Sequence, residues 1–487
     1  MYQQVPACVG LQHHVTTLSG NTVRYVNLDN TATTPPFVDV LDAVNDFLGW
    51  YGSIHRGSGY KSFFSTWIFE QARKRIFEFV GADTGYHELI FTSNTTAAIN
   101  KAARVMSLSK DDIVLVSQIE HSSNDLPWRQ RSTVIRYDVN KDTTINKESI
   151  RNLLIKLHGR VKLVSVTGAS NVTGYIPPYH EIAELSHSFN VPIFVDCAQL
   201  IPHKKIMMGM QNDPRHLDYI AFSAHKMGAP FGTGVLIGPS EVFQPRDVPS
   251  DEPGGGTTDI LTDEKPFWTT SPDRFESGTP NAVGAIALAK AVEVLSAFGM
   301  DNVEKNEAIL WEYAVGKLTK IPKVKLYINP AESIDHTPII PFNIEGYPHG
   351  LVAAILGFEY GIGVRHGRHC ADSLVLYLLG LSKDEQKRVV KQVVDRGRKT
   401  DIYGVVRPSI GLCNIKEDID RLIESVSKIV KDGTKYKYQP EYNKTMVAGR
   451  ITQQTGEYRP EGFSLEQLLK TGKPPNSLMS LSRTYNK

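Results

Sequence analysis

The sequence predicts an α/β fold with a mostly parallel central sheet. Two observations lead to this prediction. Apolar runs of six to eight residues recur between residues 88 and 238, and helix-like segments separate several of them. Strands that are buried on both faces appear as continuous apolar runs, and the helices between them cover the two faces of a parallel sheet.

The predicted elements follow from the spacing of the apolar residues. Helical spacing after a Pro-Pro pair predicts a helix over 35–51, and a second predicted helix, over 66–81, ends at Gly81. Further helices of this region are predicted at 147–158, 179–189 and 281–299. The strands are predicted at 88–93, 112–117, 161–168, 191–196, 217–224 and 233–238.

Residues 300–435 depart from this alternation, because they mix helices with a few short strands. Helices are predicted at 304–318, 383–399 and 416–430, and strands at 339–344 and 361–365. This mixture is typical of a smaller α+β domain.

We therefore divide the chain into four parts. They are an N-terminal arm (1–30), a large domain (31–298), a smaller C-terminal domain (299–434) and a C-terminal extension (435–487). The extension carries nine Lys or Arg residues against four Asp or Glu. We interpret it as a solvated, meandering tail that wraps the domain, with an active-site cover or a partner contact as the alternative.

The composition excludes several classes of protein. Of the 487 residues, 41% are hydrophobic and 22% are charged, as in soluble globular proteins. Since 54 basic residues nearly balance 52 acidic ones, no net field attracts nucleic acid or an acidic membrane. The N-terminus lacks the features of a signal peptide, and no apolar run reaches the roughly 18 residues of a membrane span. We expect a cytoplasmic protein with no membrane or nucleic-acid partner.

The four cysteines are sparse and far apart, at Cys8, Cys197, Cys370 and Cys413. No pair has the spacing of a zinc site, and their number is too small for a disulfide framework. We predict no metal site and a mostly reduced chain, in which all but Cys370 are structural.

The segment 221–238 is the most informative for chemistry. Lys226 directly follows an apolar strand and precedes an irregular turn that contains Gly228, Gly232 and Gly234. Partial desolvation at a strand end lowers the pKa of a lysine and makes it a nucleophile for imine formation. Taken alone, a lysine is more often a solvated charge.

Two other strand ends carry polar residues of the kind that a ring-and-phosphate cofactor requires. Asp196 ends an apolar strand, where a protonated pyridine nitrogen stabilises its charge, and Gln199 is spaced to donate to a ring oxygen. Thr95 and Thr96 begin a predicted helix, where free N–H groups and hydroxyls hold a phosphate. Simple helix capping or a sheet-end aspartate is the alternative in each case.

With these three features the sequence resembles a known family. It looks like a class V aminotransferase-fold enzyme, and within that class it is similar to the cysteine desulfurases and selenocysteine lyases, closest to the SUF-type group. The resemblance covers residues 26 to 431, and its motifs are LDNTATTP (28–35), HRGSG (55–59), FTSNTTAAIN (91–100), IEHSSNDLPW (119–128), SNVTG (170–174), VDCAQ (195–199), FSAHK (222–226), RFESGTPN (274–281), VRHGRHCA (364–371) and VRPSIGLCN (406–414).

This resemblance implies the fold, the cofactor and the assembly. The fold is that of pyridoxal 5′-phosphate (PLP) enzymes of fold type I, with a mostly parallel seven-stranded sheet in the large domain and a smaller α+β domain. The expected unit is a homodimer, in which Thr279 reaches the phosphate of the neighbouring subunit's cofactor.

The resemblance also implies the roles of individual residues. Lys226 forms the imine with PLP, Asp196 pairs with the pyridine nitrogen, Gln199 contacts the ring oxygen, and His121 stacks on the ring and shuttles protons. The residues implied for anion binding are Thr95, Thr96, Ser223 and His225 for the phosphate, and Asn171 and Arg407 for the substrate carboxylate.

Cys370 decides which reaction is predicted. The resemblance implies that its thiolate, on a mobile loop, takes the substrate sulfur as a persulfide, and Arg365, Arg368 and nearby histidines are expected to lower its pKa. An inert cysteine is the alternative. The 36 residues from 371 to 406 are more than the SUF-type group has here, and this insert is expected to change how far Cys370 can move or to cover the site.

We therefore predict a PLP-dependent cysteine desulfurase that converts L-cysteine to L-alanine and passes the sulfur from Cys370 to an acceptor protein. One alternative is another class V reaction without a persulfide, by a carbon–sulfur lyase, an epimerase or an aminotransferase acting on a different amino acid. A non-catalytic scaffold or sulfur-relay paralogue is the alternative from another class. Neither the exact substrate nor the sulfur acceptor follows from the sequence.

Overall fold

The structure is a computed structural model that describes residues 5–55, 57–245, 248–328, 334–394, 402–447 and 450–460. Its helices are α1 (Val38–Leu48), α2 (Tyr60–Phe79), α3 (Thr95–Val105), α4 (Leu126–Arg131), α5 (Lys147–Lys156), α6 (Tyr179–His187), α7 (Ser240–Phe243), α8 (Ala282–Phe298), α9 (Met300–Leu318), α10 (His349–Tyr360), α11 (Asp372–Leu378), α12 (Lys383–Val394) and α13 (Lys416–Asp432).

The strands are β1 (His14–Thr16), β2 (Thr22–Arg24), β3 (Val26–Asn27), β4 (His87–Thr92), β5 (Ile113–Val116), β6 (Thr133–Arg136), β7 (Val161–Thr167), β8 (Ile193–Asp196), β9 (Tyr219–Ser223), β10 (Gly234–Pro239), β11 (Thr258–Leu261), β12 (Pro266–Trp268), β13 (Val324–Leu326), β14 (Phe342–Ile344), β15 (Ile362–Gly363), β16 (Arg365–Gly367), β17 (Val405–Arg407), β18 (Tyr438–Val447) and β19 (Arg450–Pro460). Short 3₁₀ turns lie at Ser122–Asn124, Ala224–Lys226 and Asp273–Phe275.

A seven-stranded sheet with the order β4-β10-β9-β8-β7-β5-β6 organises the larger part of the described structure. The five strands from β9 to β6 pair in parallel, whereas β10 is antiparallel to both of its neighbours. The connection from β9 to β10 is too short for a helical crossover, which explains this one reversal. The predicted α/β class with a mostly parallel, seven-stranded sheet is confirmed.

The apolar runs are continuous in the sequence because both faces of this sheet are covered. Successive strand residues point to opposite faces. Leu115 and Val195 therefore belong to one core, and their neighbours Val114 and Phe194 belong to the other. Helices α1, α2 and α8 pack on the first face, and α3 and α4 pack on the second.

A second sheet, with the order β13-β14-β17-β16, is antiparallel throughout. Its core includes Phe342 and Val406, together with residues of α9, α10 and α13. β3, from the predicted N-terminal arm, pairs in parallel with β15, and Val26 is buried in this second core. Residues near the N-terminus thus pack with the smaller sheet, and the exact domain boundaries stay a prediction.

Some elements differ from the predictions. Helix α2 begins at Tyr60 rather than at residue 66. The prediction missed its first turns because Tyr60 and Phe63 are 92% and 79% exposed and do not follow the core-facing spacing of apolar residues. The predicted strand over 361–365 is divided, since β15 pairs with β3 while β16 pairs with β17. β17 has only three residues and was not predicted.

The segment 371–406 contains two helices of different character. α11 places Leu374 and Val375 in the core of the large sheet, whereas α12 has no buried residue. The helix predicted over 383–399 ends at Val394, and residues 395–401 lie outside the described ranges.

The extension is more regular than the meandering tail that we predicted. Over its described part, β18 and β19 pair as an antiparallel hairpin. This hairpin lies against α10, where a side chain added at Gly350 would approach the Tyr458 ring to 3.1 Å. Residues 461–487, which the prediction also included, lie outside the described ranges.

Cys8 and Cys413 form a disulfide, with their Cα atoms 6.5 Å apart, although 405 residues separate them in the sequence. The bridge joins the N-terminal segment to the loop before α13. This differs from the mostly reduced chain that we predicted. Neither cysteine belongs to a spacing motif, and the two meet only because the N-terminal segment folds back. Cys197 is buried and free, and Cys370 is exposed and free.

Among the described helices, no single one combines the length and apolar character needed to cross a membrane. The helices α8 and α9 pass that test only as a pair, across a 76° bend between them. The apolar character of α8 reflects burial, since Ala285, Leu288 and Val292 all lie in the core of the large sheet.

Candidate active site

The candidate active site lies at the carboxyl ends of the parallel strands, where open α/β sheets bind their ligands. Asp196 is the last residue of β8 and Ser223 is the last residue of the neighbouring strand β9. The 3₁₀ turn after β9 carries Lys226. β17 of the smaller sheet carries Arg407, whose guanidinium donates to the carbonyl of Asn171 in the loop after β7. The site therefore lies between the two sheets.

Lys226 is fixed through its backbone and desolvated at its amine. The Thr34 hydroxyl donates to the Lys226 carbonyl at 2.7 Å, and Nζ of Lys226 lies 3.5 Å from Oε1 of Gln199. Burial lowers the pKa of Lys226 to about 8, although the charge of Asp196 raises it. Neutral amine is therefore available close to neutral pH, which makes Lys226 a nucleophile and a base.

Asp196 is a buried carboxylate with little compensation from its surroundings. It is 4% exposed, and its Oδ1 accepts the Ala198 amide at 3.0 Å. Burial raises the pKa of Asp196 despite the nearby charge of Lys226. Because a buried carboxylate is stabilised by a cation beside it, this position suits a protonated ring nitrogen.

Gln199 connects Lys226 to a buried histidine and a buried glutamate. Nε2 of Gln199 lies 3.4 Å from Nε2 of His203, and Nδ1 of His203 lies 2.9 Å from Oε2 of Glu307 on α9. Within the described ranges, the other oxygen of Glu307 is buried without a hydrogen bond. Burial raises the pKa of Glu307. This series of hydrogen bonds orients the Gln199 amide toward Lys226.

A cluster of hydroxyl and amide groups surrounds the N-terminus of α3. The amide of Thr95 donates to the Ser223 hydroxyl at 2.7 Å, and the two hydroxyls lie 2.5 Å apart. The Asn94 side chain caps the helix by accepting the Ala97 amide at 2.9 Å. A side chain at Gly234 would come within 2.5 Å of the Asn94 backbone, so the close approach of β10 requires glycine. Hydroxyls at a helix N-terminus form a site for an anion such as phosphate.

Thr96 lies next to the cluster but contacts His121 through Ser123. The hydroxyls of Thr96 and Ser123 are 2.7 Å apart, and the Ser123 hydroxyl is 3.0 Å from Nδ1 of His121. The Ser123 amide also donates to this Nδ1 at 3.1 Å, so the neutral ring carries its proton on Nε2. Burial, together with the charges of Lys226 and Arg407, lowers the pKa of His121 to about 4.

Arg407 is buried and only partly paired. Its Nη1 donates to the Asn171 carbonyl at 2.7 Å, its Nη2 lies 3.5 Å from Oδ1 of Asp29, and its Nε is buried without a partner among the described residues. Burial lowers the pKa of Arg407 to about 10. Asp29 also accepts Nε of Arg365 at 3.3 Å. Two guanidinium groups against one carboxylate leave a net positive charge that suits a substrate carboxylate.

Cys370 is exposed, and the chain is anchored on both sides of it. Its carbonyl accepts both the amide and the hydroxyl of Ser122, at 2.7 and 2.8 Å, directly after His121. His369 and Cys370 both have φ +55, a left-handed conformation that is strained for side chains other than glycine. Leu374, one helical turn later, is buried in the core. The mobile loop that the resemblance implied for Cys370 stays a prediction.

The two arginines that were expected to act on the Cys370 thiol have carboxylate partners. Arg368 donates to Oδ1 of Asp372 at 2.6 Å, and Arg365 pairs with Asp29. Their positive charges are thus directed in part to these acids rather than to the sulfur.

The two remaining residues predicted for phosphate binding are His225 and Thr279. Nδ1 of His225 lies 3.2 Å from the hydroxyl of Thr33. Thr279 is exposed, just before α8. A residue that contacts the cofactor of a neighbouring subunit is expected to be exposed in a single chain. The role of Thr279 remains a prediction.

Comparison with known proteins identifies the family. Residues 26–422 match the family model described as aminotransferase class-V. The chain belongs to the class-V aminotransferase family. A probable cysteine desulfurase of Halalkalibacterium halodurans is 34% identical over 83% of this chain and 92% of its own length. A cysteine desulfurase of Haloferax volcanii is 30% identical over 83% of this chain and 89% of its own length.

A solved structure agrees with this family assignment. The apo structure of a cysteine desulfurase from Thermococcus onnurineus superposes with a TM-score of 0.72 at 27% identity. The match covers 84% of this chain and 95% of that one. As a class-V aminotransferase, the chain therefore has the fold type that its sequence predicted.

The structure of this class-V aminotransferase also adds site residues that sequence reasoning missed. Asp29 and Ser123 lie within motifs that carried the resemblance, but their roles depend on which side chains they meet across the cleft. His203 and Glu307 come from different elements, and only the fold joins them. The sequence offered one signal of this kind: Asp372 follows Arg368 by four residues.

Proposed function

We propose that the protein is a PLP-dependent cysteine desulfurase, which converts L-cysteine and the Cys370 thiol into L-alanine and a Cys370 persulfide. The carbon–sulfur bond of the substrate breaks, a sulfur–sulfur bond forms on Cys370, and the alanine methyl group gains a proton. The observation that carries the proposal is the position of Cys370. Its carbonyl is held by Ser122 beside His121, and the residue is exposed.

The residues of the cleft fit the cofactor that this family uses. Asp196 would pair with the ring nitrogen, Gln199 would contact the ring oxygen, and the Thr95–Ser223 cluster would hold the phosphate. When bound, PLP withdraws electrons from the substrate Cα. The neutral amine of Lys226 would form the covalent bond with the cofactor and, once released, move the Cα proton.

The substrate side of the cleft supports an α-amino acid. The buried, unpaired Nε of Arg407 and its partly occupied Nη2 form the planar fork that a carboxylate accepts in two parallel bonds. Asn171 donates to the His369 carbonyl at 2.6 Å, and this bond links the substrate side to the segment that carries Cys370. His121, neutral with a proton on Nε2, would orient the substrate by donating a hydrogen bond from that nitrogen.

Product analysis tests the proposal. Holoprotein is mixed with L-cysteine and a reductant, and alanine, sulfide and pyruvate are measured for the wild type, Cys370→Ser and the matched control Cys197→Ala. Alanine and sulfide from the wild type and the control, with a loss of at least about a hundredfold in Cys370→Ser, support desulfuration. Pyruvate, or full activity of Cys370→Ser, would instead favour a carbon–sulfur lyase or another class V reaction.

The cofactor proposal has its own test. Lys226→Ala is expected to lose the visible absorption of bound PLP that borohydride reduction traps, and to lose activity by about a thousandfold or more. Lys204→Ala, which removes a surface lysine paired with Asp335 and Glu304, serves as the control and retains both. Trapping of PLP on Lys226→Ala would overturn the assignment of the lysine.

A homodimer is the assembly that we propose, with Thr279 acting on the cofactor of the neighbouring subunit. Supporting it is an exposed aromatic surface on α2, formed by Tyr60, Phe63 and Trp67. Arg73 of the same helix pairs with Glu276, three residues before Thr279, which ties α2 to the segment that carries Thr279. Sedimentation of wild type and Phe63→Asp tests it: a dimer that dissociates in the variant is expected, and a monomeric wild type would contradict it.

We also propose that the persulfide sulfur passes to an acceptor protein in the cytoplasm. The exposure of Cys370 supports transfer, since an acceptor thiol must reach the sulfur. Cell fractionation tests the location, and loss of the persulfide on addition of candidate acceptor proteins tests the transfer.

A further inference from the structure

A second cluster of chemically active side chains lies at the opposite end of the large sheet from the candidate active site. His187 ends α6, and Asp218 directly precedes β9, with His216 two residues before it. One donor atom from each of the three lies within 4.8 Å of the others. Sequence analysis predicted no metal site, because no pair of cysteines has the spacing of a zinc site.

The two histidines are oriented by carbonyl groups. Nδ1 of His187 lies 2.7 Å from the Pro214 carbonyl, and Nδ1 of His216 lies 2.6 Å from the Asp213 carbonyl. A carbonyl only accepts hydrogen bonds, so Nδ1 carries the proton in each ring. In the neutral form, each Nε2 then presents a lone pair. Metal-binding histidines are held in this way.

Both Nε2 atoms face one buried carboxylate. Nε2 of His187 lies 2.8 Å from Oδ2 of Asp218, and Nε2 of His216 lies 3.2 Å from Oδ1. Two lone pairs directed at a carboxylate repel it unless positive charge lies between them. That charge is either a second proton on each ring or a metal cation.

Asp218 has further partners that fix its position. Tyr86 donates its hydroxyl to Oδ1 and the Ile193 amide donates to Oδ2, both at 2.8 Å. Throughout the described ranges, the ion pairs of Asp218 are with the two histidines and with no lysine or arginine. The neutral donors thus orient the carboxylate, and its negative charge is balanced only on the side that faces the two histidines.

We propose that His187, His216 and Asp218 bind a divalent transition metal, zinc in the first instance, through two Nε2 atoms and one carboxylate oxygen. Imidazole and carboxylate ligands are those that zinc accepts, and water completes a tetrahedral site. The side chain of His187 is 16% exposed and that of His216 is 10% exposed, so solvent reaches the open position.

The present geometry is close to that of a zinc site. Tetrahedral zinc with bonds of about 2.0 Å holds its ligand atoms roughly 3.3 Å apart. The imidazole–carboxylate distances, 2.8 Å from His187 to Oδ2 and 3.2 Å from His216 to Oδ1, are within about 0.5 Å of this value, and binding through one oxygen requires the carboxylate to turn. The two rings are stacked, with centroids 4.3 Å apart and planes 18° apart, so binding requires their Nε2 edges to tilt toward each other.

The proposed metal is structural rather than catalytic. Its ligands join the end of α6, the loop before β9 and, through Asp218, the first residue of β8. β9 separates Asp218 from Lys226 and the candidate active site. The metal would therefore secure the amino ends of the two strands whose carboxyl ends carry Asp196 and Ser223.

Zinc titration of the full-length holoprotein against a chromophoric chelator tests this proposal, with wild type, His187→Gln and His180→Gln. His180 is a matched control, because it also lies on α6 and its Nδ1 contacts a carbonyl, that of Arg215, at 2.8 Å. We expect one zinc per chain in the wild type and in His180→Gln, and an affinity at least about tenfold lower in His187→Gln.

Cobalt substitution identifies the ligand atoms in the same samples. A cobalt spectrum without sulfur charge transfer is expected, which separates this site from the Cys370 thiol. His216→Gln, which is expected to give the same loss, replaces His187→Gln if that variant does not fold. Absence of zinc binding, equal weakening in His180→Gln, or a sulfur-ligated cobalt spectrum unaffected by His187→Gln would each overturn the proposal.

Discussion

Asp196 and Asp218 are equally buried, at 4% exposed each, yet they lie at opposite ends of adjacent strands and have opposite ionisation behaviour. Burial raises the pKa of Asp196, which accepts one backbone amide. Burial also acts to raise the pKa of Asp218, but hydrogen bonds from His187 and His216 outweigh it and hold the pKa well below its usual range.

The difference shows that burial alone does not decide whether the pKa of a carboxyl group is raised or lowered. The hydrogen-bond and charged partners of the group also decide it. Asp218 is oriented by the neutral donors Tyr86 and the Ile193 amide and lies against two histidines. Asp196 lies beside Lys226 in a cleft, where a positively charged group of a ligand would stabilise the carboxylate. One end of the sheet is therefore organised for stability and the other for chemistry.

The largest expected effect is the loss of activity when Asp196 loses its charge. Asp196→Asn is expected to reduce kcat/KM by about a hundredfold to a thousandfold, because the ring nitrogen loses its anionic partner. Folding of the cofactor-free variant is expected to be as stable as the wild type, since a poorly compensated buried charge is removed. Steady-state kinetics and thermal unfolding measure the two effects, and a less stable cofactor-free variant would contradict this account of Asp196.

The matching change at the other end is expected to act on stability. Asp218→Asn is expected to lower the free energy of unfolding by about 3 kcal/mol, because its histidine and amide partners lose the charge they surround. Thermal unfolding without added metal measures this, and the visible absorption of bound PLP at low temperature shows whether the site persists. Equal stability of Asp218→Asn and Asp196→Asn would remove the contrast between the two ends.

The coupling of Asp196 to Lys226 is expected to shift a pH profile. In cofactor-free protein the rate of PLP loading depends on neutral Lys226, so it rises with pH and levels off above a midpoint of about 8. Asp196 stabilises the ammonium form, and Asp196→Asn is therefore expected to move the midpoint to lower pH. Loading rates normalised to their plateaus measure this. A midpoint near 10, as for an exposed lysine, would contradict the desolvation of Lys226.

The smallest expected effect concerns the chain from Gln199 to Glu307. His203→Phe removes one hydrogen bond from the Gln199 amide and is expected to lower kcat/KM by about tenfold or less, since such a bond contributes about 1 kcal/mol. A shift in the visible absorption of bound PLP is expected with it, because our proposal has Gln199 contact the ring oxygen. Glu307→Gln keeps an acceptor for His203 and is expected to show a smaller change. An unaltered spectrum in His203→Phe would show that the hydrogen bonds from Gln199 to Glu307 do not influence the cofactor and serve only to pack these residues.

Sequence reasoning recovered the features that are written into contiguous segments. The strands of the large sheet were visible because both faces are buried, so that Val114 and Leu115 are both apolar. Lys226 and Asp196 were visible because each follows such a run. The family motifs then supplied Arg407 and Cys370, which no local pattern would have brought to the same cleft.

The features that were missed depend on contacts between distant segments. The Cys8–Cys413 disulfide joins residues that no motif links, and β3 finds its partner β15 at the other end of the chain. The contacts around Cys370 include a hydrogen bond from Ser122 to its carbonyl and the burial of Leu374 one turn later, and neither has a sequence signature. The cluster around Asp218 was missed for the same reason.

Direct detection of the persulfide tests the central claim most directly. Holoprotein is treated with one equivalent of L-cysteine without reductant, alkylated at once and analysed by peptide mass spectrometry. Our account predicts one additional sulfur on the peptide that contains Cys370, formed together with alanine, and none on the peptide that contains Cys197. Pyruvate without any persulfide on Cys370 would contradict it.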